Sequence, residues 1–302
     1  MARICSWFGI TRQAHYQQSW RDIEVSIEAE IVLKEVERIR KDHPMMGVRK
    51  LQIKLAQFLR THQIKLGRDA LFDLLSAHNM LIKKRRTTVK TTNSRHWMKK
   101  YPNLIRGIKI DKTNQVWVSD ITYWKTKLGF VYISLITDAY SRKVVGYSLS
   151  ENLESEGPLE ALANALKGMD LTKVELIHHS DRGAQYCSGR YTNRLKQNNI
   201  LISMTESGDP RENAIAERVN GILKNEYLTK EKIDNYDQAK KLLAKTIIKY
   251  NEERPHMSIS NLTPEYLHQT KNQLETKKLW KKYYTLGVDQ DGLHYKLNNT
   301  PS

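Results

Sequence analysis

At about residue 115 the hydrophobic pattern of this chain changes period, and no other feature constrains the fold as much. Between residues 22 and 80 apolar side chains recur three or four positions apart; from Gln115 onward they alternate or run together, rich in β-branched and aromatic types. One period belongs to amphipathic helices and the other to strands, so the pattern predicts a helical region followed by an α/β body. At about 150 residues per domain as a soft prior, 302 residues also predict roughly two domains.

The first helix is predicted over 22–41, where Ile23, Ile27, Ile31, the Val32/Leu33 pair, Val36 and Ile39 share a face opposite Glu24, Glu28, Glu35 and Glu37. His43-Pro44 stops it, because a residue preceding proline disfavours the helical region. Further helices are predicted over about 47–60 (Val48, Leu51, Leu55, Phe58/Leu59) and 68–78 (Leu71, Phe72, Leu74, Leu75). The stretch CSWFGITRQAHY before them fits the tail of another helical unit. The pair at about 44–80, with Arg49, Lys50, Lys54, Lys65 and Arg68 on its polar side, resembles a helix-turn-helix.

Charge follows the same division. The chain carries 50 Lys+Arg against 33 Asp+Glu, a net of +17, and residues 1–110 hold 23 and 9 of these. A front third with most of the excess is the footprint of a polyanion-binding module. Its densest run is Lys83-Lys84-Arg85-Arg86, followed by Lys90, Arg95, Lys99 and Lys100 with Trp97 and Tyr101 interleaved, which suits phosphates and stacked bases and equally suits a solvated linker. No apolar run approaches the ~20 residues of a membrane span; the best, Phe130 to Ile136, is strand-sized. The start lacks an apolar leader, and Cys5 and Cys187 form neither a disulfide framework nor a CxxC, so a reduced, cytoplasmic protein is expected. The division expected is a helical DNA-binding region (1–82), a basic linker (83–112), an α/β core (113–268) and a basic tail (269–302).

Within the core, Gln115–Trp124, Gly129–Asp138 and Arg142–Ser150 read as an antiparallel meander. Helices are expected over 155–167, 189–198, 213–227 and 236–252, with short strands at 174–178 and 200–203. Asp120 interrupts the β-rich segment WVSDITYW, Asp181 follows the apolar strand VELIHH, and Glu217 sits in the helix NAIAERVNGILK. One acid on each of three elements allows convergence on a single point, the oxygen cluster that hard divalent cations bind. Each acid also has an ordinary reading: a turn former at Asp120, a cap at Asp181, an exposed helix acid at Glu217. Asp138, before Ala139-Tyr140-Ser141-Arg142, reads as a turn residue, and composition does not choose between these readings.

The segments VSDITYW, LIHHSDRGAQY, SGDPRENAIAERVNGILKNEY and YNEERPH with its trailing LTPEYL resemble the catalytic core of bacterial insertion-sequence transposases of the two-reading-frame type. That family resembles retroviral integrases and shares a ribonuclease-H-like fold, here a mixed-sheet core preceded by a small helical domain. The resemblance covers nearly all of 40–268, and the 35 residues between Asp181 and Glu217 equal the family's interval. It implies strand cleavage and strand transfer at element ends, dependent on two Mg²⁺ ions (or Mn²⁺ in their place). Asp120 and Asp181 would hold both ions and Glu217 would complete one site. No protein nucleophile is required, which agrees with the lack of a Ser-His-Asp or Cys-His constellation.

On the Glu217 helix, Asn213, Asn220, Gly221 and Lys224 share the face of that acid, so Lys224 is a candidate for a DNA phosphate and Asn220 for orienting Glu217 or a base. Arg182 and Gln185 are candidate loop contacts, Arg254 and His256 either touch DNA or brace the core, and Gly208-Asp209-Pro210 reads as a mobile turn. His178 and His179 are expected to pack at a strand end rather than bind zinc. Two departures stand out: Glu212-Asn213-Ala214 where many relatives have Asp-Asn-Ala, and Glu217-Arg218 where they have Glu-Ser. The zinc module of retroviral integrases has no counterpart, and no heptad run of three repeats appears, so a first-frame partner, fused or separate, is expected, as is an oligomer holding two DNA ends. A nuclease that cleaves without joining and a DNA-binding relic are the alternatives.

Overall fold

The computed structural model describes residues 11–82, 97–127, 129–167, 169, 175–206, 210–231, 233–270, 284–289 and 292–297. Two compact units divide it, 1–88 and 89–302. Among the described residues no helix is long and apolar enough to cross a membrane.

The first unit consists of α1 (Arg12–Asp42), α2 (Val48–Thr61) and α3 (Arg68–Ala77). Helix α1 starts ten residues before the predicted boundary and takes in Arg12 to Tyr16, the last five residues of the stretch read as a separate unit. No glycine or proline lies between 12 and 42 to break it, so propagation continues. Val32, Val36 and Ile39 meet Leu51, Leu55 and Leu59 of α2 and Leu71 and Leu75 of α3 in one core. Arg40 closes the unit by donating to the Met80 carbonyl at 2.8 Å.

The second unit is built on a five-stranded mixed sheet in the order β3-β2-β1-β4-β5. Strands β1 (Val116–Thr126), β2 (Gly129–Asp138) and β3 (Val144–Ser150) form the expected antiparallel meander. The short β4 (Ile177–Ser180) lies parallel to β1, and β5 (Leu201–Met204) parallel to β4. Helix α4 (Glu156–Leu166), the single turn α5 (Ala184–Cys187) and α6 (Gly189–Gln197) supply Ala161, Leu162, Tyr186, Tyr191 and Leu195 to a core with Trp117 and Ile136. A second core joins Trp124, Val131, Ile133 and Leu135 to Val219, Ile222, Leu243 and Ile247 of α7 (Ala214–Ile222) and α8 (Tyr236–Ile248). Covered faces on both sides explain why β2 reads as a continuous apolar run. Helix α9 (Pro264–Gln269) and a two-stranded antiparallel pair, β6 (Tyr284–Asp289) with β7 (Gly292–Leu297), follow.

The structure departs from the sequence expectations in two further places. Helices α7 and α8 each end in a π turn, Leu223–Tyr227 and Lys249–Glu253, where unbroken helices were expected. Residues 97–112, expected in the linker, lie on the core: Met98 and Tyr101 pack beside it, Ile105 and Ile110 are buried, and the Met204 N–H donates to the Pro102 carbonyl at 3.2 Å. Their apolar residues follow no period, so pattern reading cannot detect this docking.

Asp138 is the turn residue expected. Its Oδ1 accepts from the N–H and hydroxyl of Ser141, both at 2.7 Å, and its Oδ2 from the Asn114 N–H at 2.7 Å. Burial works against its charge, but His268 and the Ser141 bonds outweigh this and hold the carboxyl below its ordinary range. The two histidines of β4 are likewise structural. His179 Nε2 lies 3.0 Å from the Glu212 carbonyl, which only accepts, so that nitrogen carries the proton. Its Nδ1 then accepts from Ser203 Oγ at 2.8 Å, and Ser203 in turn accepts from the Leu104 N–H at 2.9 Å. His178 Nε2 lies 2.9 Å from the Tyr191 hydroxyl, within a cluster of the His178, Tyr186 and Tyr191 rings. Burial depresses His178 to about 3 and His179 to about 4.

Two predictions follow from this packing. A Cβ on Gly146 of β3 would stand 2.2 Å from the Ala161 carbonyl oxygen and 2.7 Å from the Ala165 Cβ, so α4 seats directly on that glycine. Gly146→Val should cost about 2–3 kcal/mol of stability, read from the urea midpoint. The histidines set a pH limit. Their folded values lie below the ordinary 6.5, so the unfolded chain takes up protons first as the medium is acidified. Stability should therefore be intact above pH 6.5 and fall towards pH 4, by up to about 2.7 kcal/mol per pH unit for the pair. His179→Gln, which keeps a donor for Glu212, should remove about half of that slope in urea titrations at pH 7, 6 and 5.

Candidate active site

The parallel pairing of β1 with β4 runs from Val116↔Ile177 to Ser119↔Ser180. Asp120 is the next residue of β1 and Asp181 the first residue past β4, so the register brings a carboxylate within one strand level with a carboxylate at the carboxyl end of its parallel neighbour. β1 continues past that point to Thr126 with β2 on one side, and Asp120 pairs there with Leu135. Alternation along β1 places Asp120 on the same face as Val118 and Trp124, the face covered by α7 and α8.

Helix α7 is tied to this point at two places. The Asn213 amide, at its N-cap, donates to the Ser119 carbonyl at 3.0 Å. Two turns on, the Asn220 amide donates to Asp120 Oδ2 at 2.7 Å. Both asparagines are buried, and Glu217 lies between them on the exposed side of the helix. The 3₁₀ turn Pro210–Asn213 that starts this helix is held by the His179 bond to Glu212. Glu212 also accepts the Glu206 N–H at 2.6 Å and faces Arg106 at 3.3 Å, which is what the longer acid does at this departure from the family pattern. Residues 207–209, including most of the expected mobile turn, lie outside the described residues.

Asp120 Oδ1 accepts its neighbour's N–H, that of Ile121, at 2.9 Å. Burial and then the Asp181 carboxylate push the Asp120 carboxyl up to about 7, Glu217 adds to this, and the Asn220 and Ile121 bonds only partly offset it. Asp181 Oδ1 accepts the Gly183 N–H at 3.0 Å, and a Cβ on Gly183 would stand 3.0 Å from that oxygen, a close approach. Beneath the pair, the Ser119 hydroxyl meets the Tyr186 hydroxyl at 2.8 Å, and both side chains are buried.

Among the described residues no group of three or more His, Cys, Asp or Glu is gathered closely enough to hold a metal ion. The donor chemistry nevertheless fits Mg²⁺, which keeps most of its waters and is usually held by one or two carboxylates with substrate phosphates. Asp120 and Asp181 are such a pair, and their mutual repulsion is what a cation would relieve.

The remaining candidates fall into different places. Lys224 lies on the π turn after α7 with its ammonium 3.5 Å above the centre of the Tyr123 ring. Arg182 donates to the Glu206 carbonyl at 2.9 Å and Gln185 to the Leu153 carbonyl at 3.0 Å, so both brace loops of the unit itself. Arg254 is a correction to the expected DNA contacts: 1% exposed, it forms a two-bond pair with Glu226, both bonds 2.7 Å. Burial opposes its charge, but Glu226 outweighs that and raises its proton affinity, so the guanidinium joins the two π turns instead of facing solvent. His256 is buried and meets Ser258 Oγ at 3.0 Å. Arg49, exposed, and Lys50, half-buried, occupy the first turn of α2. Lys83, Lys84, Arg85 and Arg86 lie outside the described residues. Sequence reading passed over Tyr123, although a tyrosine three residues after a strand carboxylate was visible in VSDITYW.

Residues 111–210 match the model of an integrase core domain, and residues 198–264 match a second model of the same description. The chain is 34% identical over 281 residues to the uncharacterized 31 kDa protein of insertion element IS600 of Shigella sonnei, covering 90% of this chain and 99% of that one. It is 32% identical over 222 residues to the transposase for insertion sequence element IS629 of Shigella sonnei, 73% of each. Among solved structures it aligns with a chain of the simian T-cell lymphotropic virus intasome in complex with PP2A regulatory subunit B56 gamma, at 17% identity and a TM-score of 0.47 over 82% of this chain and 83% of that one. With most of its length matched at this identity, and with both halves of the core recognised, the chain belongs to the integrase-core family of insertion-sequence transposases.

Proposed function

We propose that this chain is the catalytic transposase polypeptide that cleaves and joins DNA strands at the ends of an insertion sequence. The observation that carries the reading is the β1–β4 register, which sets Asp120 beside Asp181 while Asn213 and Asn220 fasten the Glu217 helix over them. Asp120 and Asp181 would hold Mg²⁺, or Mn²⁺ in its place, with Glu217 completing the site, and the ion would supply positive charge for phosphoryl transfer.

In the first step water attacks the phosphorus at the element end, and the bond to the 3′-oxygen breaks to leave a free 3′-hydroxyl. In the second that hydroxyl attacks another phosphodiester, one P–O bond replacing another with no net change in bond count. The residues of this chain contribute position and charge. Asn220 fixes one Asp120 oxygen and Ile121 the other, so the carboxylate presents its remaining lone pairs in one orientation. The Gly183 N–H does the same for Asp181. Lys224 supports the strand through a phosphate. The helical region 1–82, with Arg49 and Lys50, and a basic linker shortened to 83–96 by the docking of 97–112 on the core, with Lys83, Lys84, Arg85 and Arg86, bind flanking DNA, and 269–302 form the tail. A homo-oligomer holds two ends, with a first-frame partner, in the bacterial cytoplasm at the nucleoid.

The test is a strand-transfer assay on a pre-cleaved, labelled element end, in Mg²⁺ or EDTA, with the first-frame partner absent or added. Wild type should give joined products only with metal, and Asp181→Asn should lose them by on the order of 10³-fold. Cleavage without joining would make the chain a nuclease, and salt-sensitive binding with no chemistry would make it a relic. A readout independent of turnover is the melting temperature: Mg²⁺ should raise it for wild type and leave Asp120→Asn unmoved. Because Asp120 must lose a proton to bind the cation, apparent Mg²⁺ affinity should hold above about pH 7 and fall about tenfold per pH unit below it.

A further inference from the structure

The segment 97–112 does more than cover the core, because it reaches the turn from which the Glu217 helix starts. Its backbone is fastened along β5, where the Leu104 N–H donates to Ser203 Oγ at 2.9 Å and the Met204 N–H to the Pro102 carbonyl at 3.2 Å. Ile105 and Ile110 share a core with Val116 and Val118 of β1 and with Ile215 and Ala216 of α7. That is the sheet face that carries Asp120. Arg106 follows Ile105 and pairs with two glutamates.

One nitrogen of its guanidinium, Nη2, lies 3.1 Å from Glu206 Oε2 and 3.3 Å from Glu212 Oε1. Glu206 follows β5 and Glu212 lies in the 3₁₀ turn Pro210–Asn213, so one cation neutralises an acid on each side of this junction. The two acids are also held close to one another. The Glu206 N–H donates to Glu212 Oε2 at 2.6 Å, and Glu206 Oε1 accepts the Asn103 N–H at 3.2 Å. Each glutamate leads on to a predicted acid. The Glu206 carbonyl accepts from Arg182, the residue after Asp181, at 2.9 Å. The Glu212 carbonyl accepts from His179, and Asn213, next in sequence, caps α7 and donates to the carbonyl of Ser119, the residue before Asp120. Glu217 lies one turn further along that helix. With Arg106 removed, the like charges of Glu206 and Glu212 would repel across the junction and displace the start of α7.

We propose that Arg106 is a positioning residue of the strand-transfer site, setting where the Glu217 helix starts relative to Asp181. The proposal rests on the transposase reading and adds to it a residue that touches neither the DNA nor the three acids. With 53% of the Arg106 side chain exposed, its pairs contribute little to global stability, so its effect is on local geometry. A planar guanidinium suits the task better than an ammonium on a flexible stem, because less freedom is lost in facing two carboxylates at once.

The first measurement is hydrogen exchange of the full chain in EDTA without DNA, read on peptides covering 210–222. Arg106→Ala should raise exchange there several-fold while peptides of β1 to β3 and the melting temperature stay unchanged. Adding Glu206→Gln to Arg106→Ala removes the repulsion yet keeps an acceptor for Asn103, and should restore most of the protection; Arg106→Lys should keep part of it. The second measurement is strand transfer in Mg²⁺ on the pre-cleaved element end. Arg106→Ala should lower kcat on the order of tenfold with KM for DNA unchanged, and the same two variants should recover it in the same order. Unchanged exchange at 210–222 in Arg106→Ala would overturn the positioning role, as would raised exchange with kcat unchanged; both leave the transposase reading standing. A raised KM with kcat and exchange unchanged, and a salt slope smaller by about 1, would make Arg106 a phosphate contact instead. A lower melting temperature with exchange raised throughout the core would make it a general brace. Raised local exchange in a chain whose wild type joins no strands would overturn the transposase reading and the proposal with it, although the junction itself would stand.

Discussion

The short parallel ladder between β1 and β4 is the constraint on which the rest of the core depends. Four residue pairs long, it ends at Ser119 and Ser180 and so delivers Asp120 and Asp181 side by side. A slip of one residue would send one of the two carboxylates to the opposite face of the sheet. The ladder is protected from below by the Ser119–Tyr186 hydroxyl contact and by the His178–Tyr191 bond.

Fastening the helix that carries Glu217 is a separate problem, met by polar groups rather than by packing alone. Asn213 and Asn220 hold it at both ends, and His179 fixes the turn from which it starts. Beyond Ile222 the helix widens into a π turn, as α8 does beyond Ile248, and the buried Arg254–Glu226 pair joins the two widened turns. A buried ion pair of this kind contributes little net stability, but losing one partner leaves a charge stranded. Its effect is geometric: it sets where the turn bearing Lys224 lies. Burial of Asp120 against two like charges works the other way, storing a repulsion that a bound cation would release.

Several elements were legible in the residues alone because they depend on near neighbours. The period of Val48, Leu51, Leu55 and Leu59 dictates a helix face, and the alternation through β1 to β3 dictates a meander. Asp120 stood out because an acid inside a β-branched strand needs a reason. The docking of 97–112 was not legible, since Met98, Tyr101, Ile105 and Ile110 follow no period. Whether Arg254 touches DNA or braces the core was open in the sequence, which does not reveal that Glu226, 28 residues away, closes on it. The long α1 was underestimated because residues 12–21 lack an apolar stripe, although nothing among them stops a helix.

The sequence by itself determined the kinds of element, their order, the basic front and the acids available. Periodicity, breakers and composition act through local sterics and solvation, so a linear reading reaches them. Only the tertiary structure decided that the Asp120 carboxyl is raised by burial and then by Asp181, that Asn220 rather than a cationic side chain grips it, and that Lys224 lies on Tyr123 while Arg254 is buried. Those outcomes depend on strand register and on which side chains meet across tens of residues. Such contacts follow from how the whole chain excludes water, and no local pattern encodes them.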